Sequence, residues 1–136
     1  MKFLITGGTG LIGKSIVQLL IEKNHHINVL SRKRGEDTKQ VRYYQWSPKN
    51  QTIDFTCIDD VDVIINLAGE NIFGLWTKSK KKKILESRVK SIQLLKKLIK
   101  NRPNNVKQII SASAIGIFPN SEEIICLLYT SDAADE

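Results

Sequence analysis

"ITGGTGLIG", residues 5–13, places four glycines within nine residues, directly after a short apolar run near the amino terminus. The run 2–6 is apolar and partly β-branched and is stopped by Gly7, which predicts a short buried strand. Apolar residues then recur at helical spacing until Asn24, so a helix is expected to follow. The glycines therefore lie where a strand turns into a helix. The apolar helical positions are Leu11, Ile12, Ile16, Leu19 and Leu20.

Gly7, Gly10 and Gly13 form the pattern GxxGxxG, which gains its meaning from this strand-turn-helix context. The first glycine permits a tight turn, the second lets the backbone approach a pyrophosphate, and the third lets the helix pack closely on the strand. The unpaired amides and partial positive charge of the helix amino terminus favour a phosphate at the same place. We therefore expect a dinucleotide-binding loop, and the alternative is a glycine turn without a ligand.

Strands and helices alternate along the rest of the sequence. Helical links of this length do not fit antiparallel hairpins, so they predict parallel strands joined by right-handed crossovers. The predicted fold class is α/β, a Rossmann-type doubly wound parallel sheet of about five strands, incomplete because its carboxyl-terminal part is missing. The run 61–69 is apolar enough to form the sheet centre. The further predicted strands are 27–31, 41–46 and 106–114, with a small hairpin at 52–55.

A long helix is predicted over 78–100, ended by Pro103. Its apolar residues advance by three or four and predict one stripe that faces the core, with the lysines on the opposite face. Five of the six residues 78–83 are lysine, so much of the net charge of +7 is local. A nucleic-acid partner is not expected, because aromatic residues are scarce there. The stripe consists of Leu85, Val89, Ile92, Leu95 and Ile99.

The residues after the second predicted strand bear on the choice of cofactor. A carboxylate about 20 residues beyond the glycine loop favours NAD, whereas a basic residue there suits the extra phosphate of NADP. Here Ser31 and Arg32 are followed by two more basic residues, with no acid before Glu36. We expect NADP to be preferred, with Ser31 and Arg32 among the cofactor-binding residues. NAD, or a solvated basic loop without a ligand, is the alternative.

Composition limits the remaining classes. With 136 residues, 41% of them hydrophobic and 26% charged, the sequence is that of one globular domain or part of one. The glycines cut the first apolar run below signal-peptide length and no later run approaches a membrane span, so a cytoplasmic protein is expected. Cys57 and Cys126 lack metal-ligand or paired spacing, which predicts reduced thiols and no metal site.

Three stretches together resemble the extended short-chain dehydrogenase/reductase superfamily: TGGTGLIG at residues 6–13, NLAGE at 66–70 and SASA at 111–114. NLAGENI, followed by LWT and by ILESRV at 84–89, is similar to its atypical branch, called NAD-dependent epimerase/dehydratase or cell division inhibitor. The resemblance covers about residues 1–118. It implies that Ser113 is the catalytic serine, which hydrogen-bonds the reacting group of a small-molecule substrate. It implies cofactor binding by Thr6, Gly7, Gly8, Thr9, Gly10, Leu11, Ile12, Gly13, Asn66, Leu67, Ala68 and Gly69.

The sequence departs from this superfamily in two places. Members use a tyrosine with a lysine four residues later for proton transfer, and none of the three tyrosines has such a lysine. Relatives also often carry tyrosines and a glycine after the serine step, where this chain has Ile117-Phe118-Pro119. Two functions stay open. One is the cofactor-binding half of an oxidoreductase or epimerase, inactive by itself, and the other is a non-catalytic dinucleotide-binding module.

Residues 126–136, CLLYTSDAADE, break the pattern of the preceding sequence. They match the translation of a transposon-end adapter used in sequencing libraries. We therefore expect a truncated binding domain over 1–125 and a non-native tail over 126–136. A missing apolar cover of ~400 Å² would lower stability by about 10 kcal/mol, so the chain alone is expected to be marginally stable or to aggregate.

Overall fold

The computed structural model describes residues 1–68 and 77–112. In this part of the chain, six strands and two α-helices follow the predicted order, with one short 3-10 helix that the sequence did not indicate. The elements are β1 (Lys2–Thr6), α1 (Leu11–Glu22), β2 (His26–Ser31), β3 (Val41–Ser47), β4 (Thr52–Ile53), the 3-10 helix (Phe55–Ile58), β5 (Val63–Asn66), α2 (Lys78–Asn101) and β6 (Gln108–Ser111).

The strands form one sheet in the order β4-β3-β2-β1-β5-β6. The adjacent strands β3, β2, β1, β5 and β6 are all parallel. β4 runs antiparallel to β3 and pairs with it at Trp46 and Ser47. This confirms the predicted α/β class and the predicted hairpin. The predicted centre of the sheet is wrong by one strand. β1 is the middle of the five parallel strands, and β5 lies between β1 and β6.

The sheet has a core on each face because successive strand residues point to opposite sides. Leu4 and Ile64 belong to the cluster that α2 covers with Leu94, Leu95 and Leu98. Ile5 and Ile65 belong to the other cluster, to which α1 contributes Leu20. With α1 on one face and α2 on the other, the carboxyl ends of β1, β5 and β6 remain together at one edge.

Local chemistry sets the ends of both helices. Asn24 adopts a left-handed conformation, with φ 61°, directly after α1, as is common where a helix stops. Thr77 caps the start of α2, since its hydroxyl accepts a hydrogen bond from the Lys80 amide at 3.1 Å. Pro103 follows α2, as predicted. His26 begins β2, one residue before the predicted start of that strand.

The predicted core stripe of α2 is partly wrong. Leu95 is buried and Ile99 packs against the core, but Leu85, Val89 and Ile92 are exposed. Leu94 and Leu98 take their place in the core. In α1, Leu20 is buried and Ile16 partly buried, whereas Leu11, Ile12 and Leu19 are exposed.

Candidate functional site

The strand-to-helix turn leaves no room for a side chain at Gly7. Its φ is +71°, a backbone conformation that L side chains rarely adopt. A Cβ on Gly7 would lie 2.8 Å from the carbonyl carbon and oxygen of Leu67, in the segment that leaves β5. The turn after β1 therefore packs directly against the exit of β5, and both face the same edge of the sheet.

Gly13 and Gly10 differ in what surrounds them. A Cβ on Gly13 would overlap the carbonyl oxygen of Gly7 and approach Cα of Gly8 to 2.7 Å, so this glycine allows α1 to pack on the turn. A Cβ on Gly10 would meet only the Gly7 oxygen, at 3.5 Å, which is an ordinary contact. The packing of the described residues explains glycine at position 13 but not at position 10.

The amino terminus of α1 is suited to an anion. Gly10 occupies the N-cap position without a side-chain cap, and the first turn contains no acidic residue. The amides of Leu11, Ile12 and Gly13 are first-turn groups that have no acceptor within their own helix. Thr9 and Gly10 are exposed, as are Leu11 (88%) and Ile12 (68%), while Gly8 and Gly13 are buried. The amino terminus of α1, with its first-turn donors and the positive end of the helix dipole, thus lies at the carboxyl edge of the sheet.

A chain of side-chain hydrogen bonds crosses this edge from β1 to β6. The Thr6 hydroxyl donates to Oδ1 of Asn66 at 2.6 Å. Oγ1 of Thr6 also accepts hydrogen bonds from the amides of Leu67 and Ala68, both at 3.1 Å. Nδ2 of Asn66 in turn donates to the Ser111 hydroxyl at 3.2 Å. The chain Thr6-Asn66-Ser111 therefore links the exits of three adjacent strands.

Burial assigns these side chains a positioning role. Thr6 is fully buried and Asn66 is 6% exposed, and the hydrogen bonds satisfy the hydroxyl of Thr6 and both polar atoms of the Asn66 amide. They hold Leu67 and Ala68 in place beneath the glycine turn. The sequence singled out Thr6 and Asn66, but nothing in it indicated that they bond to each other or to Ser111, because these contacts join residues 60 and 45 positions apart.

The basic loop begins at the carboxyl end of β2, one strand away from β1. Ser31 accepts a hydrogen bond from the Lys33 amide at 3.2 Å, and Arg32 has an exposed side chain. The loop has two acids, and the carboxylate of Asp37 accepts the Tyr43 amide at 2.9 Å. This hydrogen bond joins the loop to β3. A cavity of about 350 Å³ lies beside Arg34 and β3, and none of its lining residues belongs to the glycine turn.

Several sequence predictions fall outside or apart from this site. Gly69 and Ser113, as well as Cys126, lie outside the described residues. Cys57 is a free thiol in the core, and burial raises its pKa to about 12, with the charges of Asp54 and Asp59 adding to the effect. Within residues 1–68 and 77–112, no cluster of three His, Cys, Asp or Glu side chains is arranged to hold a metal ion.

Comparison with known proteins places the chain in a family. The model of the NAD dependent epimerase/dehydratase family matches residues 3–134. The chain belongs to this family. Its relatives include epimerase family protein YfhF of Bacillus subtilis, 36% identical over 135 residues that cover 98% of this chain and 43% of that protein. An epimerase family protein of Staphylococcus saprophyticus is 38% identical and is matched over 85% of this chain and 38% of its own length.

Solved structures of epimerase-like proteins share the fold. Human epimerase family protein SDR39U1, crystallised with NADPH, is 30% identical, with a TM-score of 0.71 over 89% of this chain and 39% of that chain. MoeE5 in complex with UDP-glucuronic acid and NAD has a TM-score of 0.69 at 20% identity, over 92% of this chain and 40% of that one. The chain thus spans about two fifths of these relatives. No helix in the described ranges is both long and apolar enough to cross a membrane.

Proposed function

We propose that this chain binds a nicotinamide dinucleotide, with the pyrophosphate on the turn 7–13 and the amino terminus of α1. The observation that carries the proposal is Gly10, where the protein's own packing leaves room for a side chain. A close approach by a ligand gives that position a reason to be glycine. The human relative solved with NADPH supports the same assignment. The proposed cofactor-binding residues are Thr6, Gly7, Gly8, Thr9, Gly10, Leu11, Ile12, Gly13, Ser31, Arg32, Asn66, Leu67, Ala68 and Gly69.

NADP is the proposed cofactor, ahead of NAD. Arg32 is exposed at the carboxyl end of β2, where the adenosine ribose of a bound dinucleotide lies in this class of fold. No acidic residue lies between the end of β2 and Glu36, so the position that binds the ribose hydroxyls in NAD-dependent members of this fold carries no carboxylate. A guanidinium and a phosphate form charge-assisted hydrogen bonds, so Arg32 discriminates in favour of the 2′-phosphate.

In the whole protein, the nicotinamide supplies hydride transfer when it is bound. The residues of this chain bind and position it. The turn and α1 hold the diphosphate, while the Thr6-Asn66-Ser111 chain fixes the backbone of Leu67 and Ala68. Ser113 is the proposed hydrogen-bond partner of the reacting carbonyl or hydroxyl. The proposed whole is an NAD(P)-dependent epimerase or oxidoreductase of the cytoplasm, and the 136-residue chain is proposed to be inactive alone.

The cofactor preference is tested by titrating NADPH and NADH while following nicotinamide fluorescence. Wild type is expected to bind NADPH about tenfold more tightly or better, since one charge-assisted bond is worth about 1.5–3 kcal/mol. Arg32→Ala is expected to remove most of that difference and to leave NADH binding unchanged. Lys39→Ala, an exposed cation in the same loop, is the matched control. Equal wild-type affinities for the two nucleotides contradict the proposal.

A second candidate function is a dinucleotide-binding module without catalysis. Within these 136 residues, no tyrosine is followed four residues later by lysine. The two candidates differ in what the gene encodes after the part that matches the family. A tyrosine-lysine pair at that spacing favours the enzyme, and its absence from the complete gene favours the module.

A further inference from the structure

The basic loop that follows β2, residues 32–40, is held against one face of β3. Val41 and Tyr43 of β3 belong to the core cluster on the α1 side of the sheet, and Gln45, two residues further along, points to the same side. Gln45 also lies opposite Ser31 in the register of β2 and β3. Tyr43 and Gln45 therefore lie on the face of β3 that carries this loop.

Gly35, in the middle of the loop, lies so close to the ring of Tyr43 that a side chain does not fit. A Cβ on Gly35 would be 2.6 Å from Cε1 and Cζ of that ring. Gly35 does not have a positive φ, so the close approach accounts for the glycine. The amide of Tyr43 also donates to the carboxylate of Asp37 at 2.9 Å. Tyr43 thus holds the loop through both its ring and its backbone.

Two hydrogen bonds fix the backbone on either side of Arg32. Nε2 of Gln45 donates to the Arg32 carbonyl at 3.3 Å, and the Lys33 amide donates to the Ser31 hydroxyl at 3.2 Å. Gln45 and Arg32 are both exposed, so water can replace the bond between them and its contribution to stability is small. What this bond restricts is the conformation of the loop at Arg32.

The side chain of Arg32, in contrast, forms no ion pair or hydrogen bond with another residue in the ranges 1–68 and 77–112. A cation whose backbone is already fixed loses less conformational entropy when it binds an anion. Preorganisation of this kind raises affinity without adding a contact to the ligand. The gain applies to a nucleotide that carries the phosphate bound by the cation, and not to one that lacks it.

We propose that Gln45 is a positioning residue for recognition of the cofactor's 2′-phosphate. Gln45 holds the Arg32 carbonyl, and the Arg32 guanidinium contacts the phosphate. Gly35 and Tyr43 support the same loop further along. This inference rests on the proposed preference for NADP, and it assigns part of that preference to a residue that acts through Arg32.

Replacement of Gln45 by Met keeps the length of the side chain and removes the donor. In titrations that follow nicotinamide fluorescence, Gln45→Met is expected to bind NADPH about three- to tenfold more weakly than wild type, and NADH equally well. Gly35→Ala, which forces the loop away from the Tyr43 ring, is expected to act in the same direction. Gln18→Met is the matched control, because Gln18 is also exposed and donates to Glu22 at 3.4 Å. It is expected to leave both affinities unchanged.

A double-mutant cycle separates positioning of Arg32 from general support of the fold. Gln45→Met is expected to have no further effect on NADPH binding in the Arg32→Ala background, because its effect passes through the guanidinium. An equal loss of NADPH and NADH binding, or an undiminished effect in that background, overturns the inference. So does a wild-type preference for NADPH that Gln45→Met leaves intact. Equal wild-type affinities for the two nucleotides instead overturn the proposed cofactor preference, and the role of Gln45 with it.

Discussion

Gly7 and Gly10 lie three residues apart in one turn, yet their surroundings differ. At Gly7 the left-handed backbone and the carbonyl of Leu67, 2.8 Å from a Cβ position, both exclude a side chain. At Gly10 the backbone is extended, with φ −75° and ψ 175°, and a Cβ meets one atom at an ordinary distance. Folding therefore requires the first glycine, and we attribute the second to ligand binding.

Alanine at each position separates these two requirements. Gly7→Ala is expected to destabilise the fold by about 1–3 kcal/mol, because it forces a strained conformation and displaces the exit of β5. Gly10→Ala replaces an N-cap residue and is expected to cost about 1 kcal/mol or less. It is nevertheless expected to weaken NADPH binding about tenfold or more. Urea melts and NADPH titrations measure the two effects, and undiminished NADPH binding by a folded Gly10→Ala protein contradicts the proposed loop contact.

Thr6 provides a second test at a single atom. Thr6→Val keeps the shape but removes the hydroxyl that donates to Asn66 and accepts the amide of Ala68. Because buried polar groups are then left unpaired, a loss of about 2–3 kcal/mol is expected in chemical denaturation. Thr6→Ser retains the hydroxyl and loses one methyl group, so it is expected to cost about 1 kcal/mol. Equal losses for the two variants would show that packing, and not the hydrogen-bond chain, is what Thr6 contributes.

At the scale of elements, the sequence predicted the type and order of both α-helices and of the strands in the described residues, because each has a clear period or an apolar run, but it did not predict the 3-10 helix. It overestimated β5, predicted over 61–69, since parallel pairing to β1 extends only from Val63 to Asn66. Which face of α2 is buried could not be read from spacing. Apolar residues at helical spacing occur on two faces of α2, and the face that packs on the sheet is the one that contains Leu94 and Leu98.

The sequence predicted only part of the candidate site. The glycine turn depends on residues that are close in sequence, and a local pattern identifies it. The Thr6-Asn66-Ser111 chain depends on strand register. Thr6 lies opposite Asn66 and Asn66 opposite Ser111 only because β1, β5 and β6 are adjacent and aligned. The roles of the cofactor-binding residues and of Ser113 stay predictions until a nucleotide is bound.

An ion pair joins two elements that cover the same face of the sheet. Arg102, directly after α2, donates from Nε to Asp59 Oδ1 at 2.8 Å and from Nη2 to Oδ2 at 2.6 Å. Asp59 directly follows the 3-10 helix. The hydrogen bonds from Arg102 hold the pKa of Asp59 below its usual value, and the positive charges of Arg102 and Lys2 add to this. The carboxylate is therefore more favourable in the folded than in the unfolded chain.

The sign of the pH effect follows from this shift. A carboxyl group whose folded pKa is lowered stabilises the fold above its unfolded pKa, and that contribution disappears as the pH falls through about 4 and below. Arg102→Gln is expected to melt at a lower temperature than wild type at pH 7, and the difference should shrink steadily on acidification. Thermal melts of both proteins between pH 7 and pH 3 measure it. A difference that does not change with pH assigns the effect of Arg102 to packing alone.

At the scale of the whole molecule, β3 and β6, the two outermost strands of the parallel set, are protected to different degrees. On β3, the Tyr43 amide is bonded by Asp37 and the Val41 amide by the Thr38 hydroxyl, at 2.9 and 3.1 Å. Hydrogen-bonded side chains of this kind block the pairing of another strand. β6 is the opposite edge within the described residues, and all four of its residues are exposed. Ile109 and Ile110, on its two faces, are 49% and 47% exposed.

An uncovered strand with exposed isoleucines is a site for self-association. We expect the 136-residue chain to associate in a concentration-dependent way during sedimentation. Ile110→Lys is expected to reduce the associated fraction severalfold, because a charge on the edge opposes strand addition, while costing less than about 1 kcal/mol at a half-exposed position. Asp37→Ala, which unmasks the β3 amide of Tyr43, is expected to increase association instead. A wild-type chain that stays monomeric at every concentration contradicts the expectation that β6 is an open edge.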